Sequence, residues 1–329
     1  MITRKQVAEH AGVSVAAVSY VVNNKSGVGE ATRQKVLEAI KELGYQPNFV
    51  ARSLKTKKTN QLAVLVNYLG NSFEAGILLH LEARAREHGY YIVFQTYSPE
   101  TEDEFVRFTA GRADGVVLLG QRLKPESLEQ LDRLNLPVVS IMKPAGGESP
   151  VPYVDIDWTE AMRKLIGHLK EKGHTRIGFI GVDMPDHYLN VREDTFQQAM
   201  KEAGLPFLPE QTLKGDGRLE SAFETMKLRL ASPARNEYTA IAAASDLMAA
   251  GLLSAAREVG MQVPQELAVA GCENILMTSQ TTPGITVIDY PRKQVAVQAI
   301  DLLVQHIDAP EEAAVALDAD LIIRPSTCP

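Results

Sequence analysis

The side chains best suited to chemistry in this 329-residue chain are basic ones, and they are concentrated at its beginning. Residues 1–58 hold ten Lys and Arg side chains against four acids, a net charge of +6, whereas the whole chain carries −7. The rest of the chain therefore carries −13. A cationic end on an anionic body predicts that residues 1–58 bind a polyanion such as nucleic acid.

Two short helices are predicted at the start of this basic segment. Thr3 and Gln6 form a capping-box pattern that starts the first helix, and Gly12 has the backbone freedom to end it. Ser14 is a typical N-cap for a second helix over residues 15–22. Two helices joined by a tight glycine-containing turn are a helix-turn-helix arrangement.

A third helix is predicted over residues 30–43, between Gly29 and Gly44. Its apolar side chains recur at helical spacing and are Val36, Leu37, Ile40 and Leu43. The core expected between the three helices consists of Val7, Val13, Val18, Val22, Val36 and Ile40. A domain this small is only marginally stable alone.

The second helix of a helix-turn-helix enters the major groove of DNA, where its first side chains meet the base edges. The side chains at those positions are Val15, Ala16, Ala17, Ser19 and Tyr20. Val15 and Ala16 offer only apolar contact, which suits thymine methyl groups. The alternatives are that Val15 and Ala16 pack within the helices and that Tyr20 is a core aromatic.

Motifs of enzyme chemistry are missing from the sequence. There is no G-x-G-x-x-G after a predicted strand, no Walker loop, no H-E-x-x-H and no G-x-S-x-G. The seven histidines are scattered, and Cys272 and Cys328 are too far apart in the sequence for a metal-binding motif. We therefore expect no catalytic residue, no metal and no cofactor.

Apolar content of 45% permits large cores, but no apolar run approaches the ~18 residues of a membrane span. No apolar signal-peptide segment follows Met1. The two cysteines are expected to be free thiols in a reducing compartment. These features predict a cytoplasmic protein with no membrane partner.

From residue 61 onward, short apolar runs alternate with amphipathic helices. The candidate strands are 62–66, 91–95, 115–120, 137–141, 176–181, 239–244 and 267–271. The predicted helices are 74–88, 158–172, 192–203, 245–259 and 292–307. This alternation predicts doubly wound parallel sheets. Because there are too many units for one sheet, residues 62–156 and 176–271 are expected to form two successive α/β halves.

Segments that match one family occur in order through the chain. They are QVAEHAGVSVAAVSYVVNN, ATRQKVLEAIKELGYQPNFVARSLKTKKT, RADGVVLL, HLKEKGHTRIGFIG, SDLMAAGLLSAAREVGMQVPQELAVAG, TPGITVI and LIIRPST. The first two resemble the helix-turn-helix, third helix and hinge of the LacI/GalR (lactose-repressor/galactose-repressor) family of bacterial transcription regulators. The others resemble the core of that family.

The resemblance implies an architecture and a function. The headpiece would occupy residues 1–46, the hinge helix and linker 47–59, and an effector-binding and dimerisation core 60–329. Within the core, which also resembles periplasmic sugar-binding proteins, the first subdomain would comprise about 60–157 and 288–316, and the second about 158–287 and 317–329. The chain would cross between them near Asp157, Val287 and Leu317. We expect a homodimeric repressor that binds double-stranded operator DNA under the control of a small sugar-like effector.

Further DNA-binding residues follow from the resemblance alone. Those expected to contact phosphates are Arg4, Ser14, Asn23 and Thr32, whose alternative role is as caps or solvated polar groups. Those expected in the hinge are Asn48, Ala51, Leu54 and Lys55. Leu54 matches a leucine that the family inserts into the minor groove, where an apolar wedge unstacks a base step. Tyr20 stands where many members have Arg, so we expect a different operator preference.

The resemblance also places effector contacts at Asn71, Phe73, Arg192, Ser245 and Glu273. Arg192 is expected at the cleft mouth, binding sugar hydroxyls or an effector carboxylate and contributing little to stability. The alternative for Arg192 is a salt bridge at the start of a helix. After Ser245, the next residue, Asp246, is also a candidate helix N-cap.

Several of these positions depart from the family pattern. Ser245 and Glu273 replace Asn and Asp, Glu74 replaces an aromatic residue, and Met142–Lys143 replaces an Asp-Arg pair. Lys143 remains a candidate effector contact. The single tryptophan, Trp158, lies at a predicted crossing and would either stack on a ligand ring or pack between subdomains.

Two other classes of protein are alternatives. A solute-binding protein would share the fold of the core, but the headpiece and the lack of a signal peptide disfavour it. A nucleotide-dependent α/β enzyme would need a phosphate-binding loop, and the sequence has none.

Overall fold

The structure is a computed structural model of the chain. It describes residues 2–23, 25–46, 53, 56, 58–70, 72–143, 151–184, 187–207, 212–233, 237–308 and 314–328. The chain divides into two compact units, Met1–Thr59 and Asn60–Pro329. Five expected site residues lie outside the described residues, namely Asn48, Ala51, Leu54, Lys55 and Asn71.

The first unit contains the helices α1 (Arg4–Ala11), α2 (Val15–Val22) and α3 (Glu30–Leu43). Their predicted ends are confirmed. The side chains of Thr3 and Ser14 cap α1 and α2 by accepting backbone hydrogen bonds. Gly12 and Gly44 follow α1 and α3 with φ of 64° and 59°, in the left-handed region that glycine enters without strain.

A small apolar core holds these helices together. Its buried residues are Val7, Ala8, Val18, Val21, Val36, Ala39 and Tyr45. Val13, Val22 and Ile40, which were expected inside, are only half-buried at its edge. Leu37 is 45% exposed. Helical spacing alone does not separate neighbouring positions such as Val21 and Val22, because three short helices enclose only a narrow apolar stripe.

The second unit contains two six-stranded sheets. The strands of the first are β1 (Gln61–Val66), β2 (Tyr91–Thr96), β3 (Gly115–Leu119), β4 (Val138–Ile141), β5 (Tyr153–Ile156) and β11 (Ala314–Leu317). Their order is β11-β5-β4-β3-β1-β2, and all neighbours are parallel. Leu62 of β1 lies opposite Ile92 and Gly115.

Helices cover both faces of this sheet, which we call subdomain one. They are α4 (Ser72–Glu87), α5 (Glu102–Thr109), α6 (Pro125–Arg133) and α12 (Arg292–Asp308). Along β1, Val64 packs in the same apolar cluster as Ile77 of α4, whereas Leu65 packs in the cluster of Phe105 and Leu131. Burial on both faces explains the continuous apolar runs of these strands.

The second sheet forms subdomain two. Its strands are β6 (Ile177–Val182), β7 (Leu213–Gly215), β8 (Ala240–Ala243), β9 (Ala268–Gly271), β10 (Thr286–Asp289) and β12 (Asp320–Ile322), in the order β12-β10-β9-β8-β6-β7. Its helices are α7 (Trp158–Glu171), α8 (Asn190–Glu202), α9 (Leu219–Leu230), α10 (Asp246–Glu258) and α11 (Leu276–Gln280). The expected parallel sheet is confirmed, with the one exception that β12 pairs antiparallel with β10. An antiparallel edge strand on an otherwise parallel sheet is a common exception.

The chain crosses between the sheets three times. The first crossing follows β5 at Asp157, as expected. The second lies at 290–291, beyond the expected Val287, because Val287 still pairs with Ile322 inside subdomain two. The third lies at 318–319, just after Leu317. No helix within the described ranges is long and apolar enough to cross a membrane.

Candidate functional site

The beginning of α2 presents an exposed surface that contains the residues expected at DNA bases. Val15 is 47% exposed and Tyr20 is 44% exposed. Ala16 is also exposed, and Ala17 and Ser19 are half-buried. The alternatives that placed Val15, Ala16 and Tyr20 in packed positions are therefore wrong. These side chains are free to enter a major groove, as the second helix of this motif does.

The polar residues expected at phosphates already have contacts within the headpiece. Arg4 Nε donates to the Tyr45 hydroxyl at 3.3 Å. Asn23 Nδ2 donates at 2.7 Å to the carbonyl four residues earlier. The Ser14 hydroxyl accepts the α2 capping bond, and Thr32 is half-buried in the first turn of α3. A capping hydroxyl still carries a proton to donate, so capping and phosphate binding are compatible at Ser14.

Arg192 lies buried between the two sheets rather than at a cleft mouth. It belongs to the first turn of α8, and its Nη1 is 2.9 Å from Oε1 of Glu273, with the two side chains 1% and 0% exposed. Nη1 also donates to the carbonyl oxygen of Ala244. The burial does not fit the expectation that Arg192 contributes little to stability, because removing Arg192 would leave a buried carboxylate unpaired. The alternative of a salt bridge at the start of a helix is confirmed.

The ion pair with Glu273 keeps the Arg192 guanidinium positively charged. Burial alone lowers the pKa of the guanidinium, but the negative charge of Glu273 and its hydrogen bond raise the pKa above the usual arginine value. The Arg192 Nη2 atom is buried and has no hydrogen-bond partner among the described residues.

Aromatic rings surround this guanidinium. The Arg192 Cζ atom is 4.4 Å from the Trp158 ring, 5.5 Å from the Phe73 ring and 5.7 Å from the Tyr188 ring. Tyr290 stacks on Trp158 with 6.1 Å between centroids and meets Phe73 edge-on at 5.0 Å. Phe73 belongs to subdomain one, whereas Tyr188 and Arg192 belong to subdomain two. The two subdomains therefore meet at a cation surrounded by aromatic rings.

Two further contacts join the subdomains. Arg218 lies over the Tyr68 ring at 4.9 Å. After β3, Gly120 has φ of 78°, and a Cβ atom there would lie 2.7 Å from Cβ of Tyr188. Only glycine permits this approach without a shift of the neighbouring backbone.

Glu74 is a buried carboxyl group that holds the loop after β1. Its Oε2 accepts hydrogen bonds from the backbone N–H groups of Asn67 at 2.9 Å and Tyr68 at 3.3 Å. Burial raises the pKa of Glu74 to about 7, and the hydrogen bonds from Asn67 and Tyr68 only partly oppose this effect. Glu74 therefore positions Tyr68, which meets Arg218 of the other subdomain.

Asp155 orients the tryptophan at the first crossing. Trp158 Nε1 donates to both Asp155 oxygens at 3.1 Å, and the backbone N–H of Lys143 donates to Oδ2 at 2.9 Å. Burial raises the pKa of Asp155. Trp158 is 5% exposed, so it packs between the subdomains while its ring also faces Arg192. Lys143 itself is half-buried at the edge of this group.

Asp246 organises the loop that carries Glu273. Its Oδ1 accepts from the amides of Cys272 at 2.8 Å and Glu273 at 3.0 Å, and its Oδ2 accepts from Ile275 at 2.9 Å. Its own amide donates to Glu273 Oε2 at 3.1 Å. Burial and the nearby charge of Glu273 raise the pKa of Asp246. Asp246 is thus a positioning residue.

Ser245 rather than Asp246 caps α10. The Ser245 hydroxyl accepts from the Met248 amide at 3.2 Å and donates to the Gly217 carbonyl at 3.1 Å. The interpretation of Asp246 as an N-cap is therefore wrong. Both hydrogen bonds of Ser245 serve the protein fold, and the side chain is buried.

The structure brings together four of the expected effector residues, namely Phe73, Trp158, Arg192 and Glu273. Asp155, Tyr188 and Tyr290 also lie in this group, although they were not expected there from the sequence. A usable signal existed for two of these, because Asp155 lies near the carboxyl end of β5 and Tyr290 directly follows β10. Ligands of α/β folds bind beyond such strand ends. No group of metal-ligating side chains was found within the described part of the chain.

Known proteins resemble both parts of this chain. The family described as "Bacterial regulatory proteins, lacI family" matches residues 3–48, and "Periplasmic binding protein-like domain" matches residues 166–327. The HTH-type transcriptional repressor CytR of Escherichia coli is 32% identical over 99% of this chain and 96% of its own length.

Solved structures resemble the whole chain as well. A complex of the transcriptional regulator CelR with cellobiose is 30% identical, with a TM-score of 0.75 over 99% of this chain and 100% of that one. The lac repressor dimer bound to operator and the anti-inducer ONPF is 25% identical, with a TM-score of 0.86 over 99% of both chains. The resemblance and the two-sheet α/β fold are thus confirmed. This chain belongs to the LacI family of bacterial regulatory proteins and is a DNA-binding transcriptional regulator.

Proposed function

We propose that this regulator is a homodimeric repressor that acts in the cytoplasm and whose operator binding is controlled by a sugar-like effector in the cleft. The observation that carries the proposal is the Arg192–Glu273 pair of subdomain two, which faces aromatic rings of both subdomains. A ligand that contacts both subdomains favours one arrangement of them over another, as an effector must. Aromatic rings suit the faces of sugar rings, and the related CelR was solved with cellobiose.

The DNA contacts are assigned to three groups of residues. Base contacts are assigned to Val15, Ala16, Ala17, Ser19 and Tyr20, and phosphate contacts to Arg4, Ser14, Asn23 and Thr32. Hinge contacts are assigned to Asn48, Ala51, Leu54 and Lys55. The dimeric state is supported by the related lac repressor dimer on its operator. A symmetric dimer reads a nearly palindromic site.

We also assign a function to each part of the chain and propose that the chain has no catalytic activity. Residues 1–46 bind DNA, 47–59 form the hinge, and 60–329 bind effector and a second copy of the chain. The effector contacts beside Arg192 and Glu273 are Asn71, Phe73, Lys143, Trp158 and Ser245. The relatives that resemble the chain are named as regulators, which supports a role based on binding alone.

Selection of operators from a random DNA pool, with the full chain, tests the DNA-binding half of the proposal. We expect one nearly palindromic sequence to be enriched. Titration of that operator is then repeated with saturating sugars, and we expect at least one sugar to shift the half-saturation point. Failure to enrich any sequence, or an operator affinity unchanged by every sugar that binds, would contradict the proposal.

A pair of variants locates the effector site. Trp158→Leu keeps an apolar side chain but removes the ring beside Arg192, so operator binding should survive and the sugar response should be lost. Phe108→Leu, at a 42% exposed aromatic on α5, should retain both properties. A full response in Trp158→Leu would place the effector elsewhere.

A further inference from the structure

The charge of the candidate cleft is already balanced within the protein. Among the ion pairs of the described residues, Arg192–Glu273 is the one in which both side chains are fully buried. Both carboxylate oxygens of Glu273 are used, because Oε1 binds Arg192 Nη1 and Oε2 accepts from the Asp246 amide. A ligand therefore meets a guanidinium whose positive charge is compensated 2.9 Å away.

Additional carboxyl groups make this region unfavourable for negative charge. Glu74, Asp155 and Asp246 are each at most 3% exposed and belong to α4, β5 and α10. Glu74 accepts from the Tyr68 amide, Asp155 from the Trp158 ring and Asp246 from the Glu273 amide. Any of them that ionises adds negative charge in a place with little water to screen it. A carboxylate or phosphate placed beside Arg192 would be buried close to Glu273, and burial of an unpaired charge is costly.

The Nη2 group of Arg192, which carries two N–H bonds, remains for a ligand. Nη1 is engaged twice, whereas Nη2 has no partner among the residues that the structure describes. The same guanidinium lies 4.4 Å from the Trp158 ring, so an acceptor on Nη2 lies next to an aromatic surface.

We propose that the effector is an uncharged ring compound whose hydroxyl or carbonyl oxygen accepts from Arg192 Nη2, and that Glu273 excludes its anionic analogues. Glu273 is thus a specificity-determining residue. This inference rests on the proposed function, because it assumes that the effector binds in this cleft. An arginine at this position could bind either a hydroxyl or a carboxylate of the ligand, and the inference selects the hydroxyl.

Calorimetric titration of the full chain with matched pairs of compounds tests the inference. The pairs are cellobiose and cellobionate, glucose and glucose 6-phosphate, and adenosine and AMP. We expect at least one neutral member to bind at least tenfold more tightly than its anionic partner. A wild-type chain that binds an anionic member equally well or better overturns the inference, and so does a panel in which no neutral member binds.

Variants of Glu273 identify the residue responsible. Glu273→Gln removes the charge at constant size and should shift the neutral-to-anionic affinity ratio at least tenfold towards the anion. Glu273→Asp keeps the charge and should keep the neutral preference. Glu258→Gln, at an exposed acid that pairs with Lys227, is the control and should leave the ratio unchanged. An unchanged ratio in folded Glu273→Gln overturns the role assigned to Glu273.

Operator titrations with the same compounds separate this inference from the proposed function. If an anionic compound binds and changes operator affinity, the regulator is effector-controlled but the inference about charge is wrong. If a neutral compound binds selectively and operator affinity does not change, the charge preference holds and the proposed control by effector fails.

Discussion

Arg192 combines two tasks that usually fall to different residues. Its guanidinium faces the aromatic rings of the cleft, and it also neutralises Glu273 in the interior. Both features depend on the same charge, so we expect a change at Arg192 to alter ligand binding and stability together. Effects on ligand binding are better sought at Trp158, where an apolar substitution leaves the Arg192–Glu273 pair intact.

We first predict that Arg192→Ala is strongly destabilising. The variant leaves the Glu273 carboxylate buried without its partner, which typically costs about 3–5 kcal/mol. The free energy of unfolding in urea measures this cost. As a control, Arg163→Ala on α7 breaks an ion pair with Glu202 whose side chains are 47% and 38% exposed, and stability should scarcely change. Similar losses in both variants would show that burial of the Arg192 pair has no special weight.

A second prediction concerns the pH dependence caused by Glu74. Because burial raises its pKa from 4.5 to about 7, the folded chain binds a proton there that the unfolded chain has released. Stability from this group is therefore greatest below about pH 4.5 and is lost as the pH rises to about 7. Glu74→Gln removes that loss, so the variant should gain relative to wild type between pH 5 and pH 8, by at most ~3 kcal/mol.

Urea unfolding of both proteins at the two pH values measures this gain. Glu82→Gln on the same helix, at a side chain 48% exposed, is the control and should show no comparable pH dependence. A difference between Glu74→Gln and wild type that is the same at both pH values would contradict the assignment. Loss of the carboxylate as an acceptor for the Asn67 and Tyr68 amides affects both pH values alike.

At the scale of elements, α2 separates folding from recognition by its two faces. Val18 and Val21 face the small core, whereas Val15 and Tyr20 face solvent. The buried face holds α2 against the core. The side chains of the exposed face can therefore vary, and we expect the preferred operator sequence to vary with them. We therefore expect changes on the exposed face to alter DNA binding with little effect on stability.

Tyr20→Ala tests this separation. Loss of one base-contacting side chain should cost roughly 1–3 kcal/mol in affinity for the selected operator, with the melting temperature nearly unchanged. Leu37→Ala on α3 removes an apolar side chain of almost equal exposure, 45% against 44%, and should leave operator affinity unchanged. Equal operator affinities of Tyr20→Ala and wild type would contradict the assignment of Tyr20 to the bases.

The sequence predicts those elements whose side chains form a long regular pattern. The buried strand β6 and the capped helices α1 and α2 are examples, because periodicity and caps are local signals. β7 and β12 have three residues each, which is too short for an apolar period. The family resemblance supplied the effector candidates, but local patterns do not show that Arg192 pairs with Glu273. That contact joins residues 81 positions apart and exists only after the sheet has formed.

At the scale of the whole molecule, charge is separated between the headpiece and the core. The first 58 residues carry +6 and the rest −13. Because the net charge of the core is negative, we expect DNA binding to depend on the cations of the first 58 residues. Each phosphate contact releases counterions, so the affinity of a multivalent headpiece is strongly salt dependent.

A fourth prediction follows from this separation of charge. Operator affinity of the full chain should fall roughly 10³-fold or more between 50 mM and 200 mM salt. Gel-shift titrations across that range give the slope of log affinity against log salt. Binding of a neutral sugar to the cleft should change little over the same range, because the sugar carries no charge and the charge of Arg192 is buried and compensated by Glu273. A shallow slope for DNA would contradict a binding mode based on several phosphate contacts.

The three crossings have a consequence for how the protein is made. The helices of the headpiece end at Leu43, so this unit can fold while most of the chain is still being synthesised. By contrast, each core sheet receives an edge strand from the end of the chain, β11 in one and β12 in the other. The first sheet is not complete until residue 317 has left the ribosome, and the second is not complete until residue 322 has done so. In a nascent chain the three helices of the headpiece are therefore complete long before the two sheets of the core.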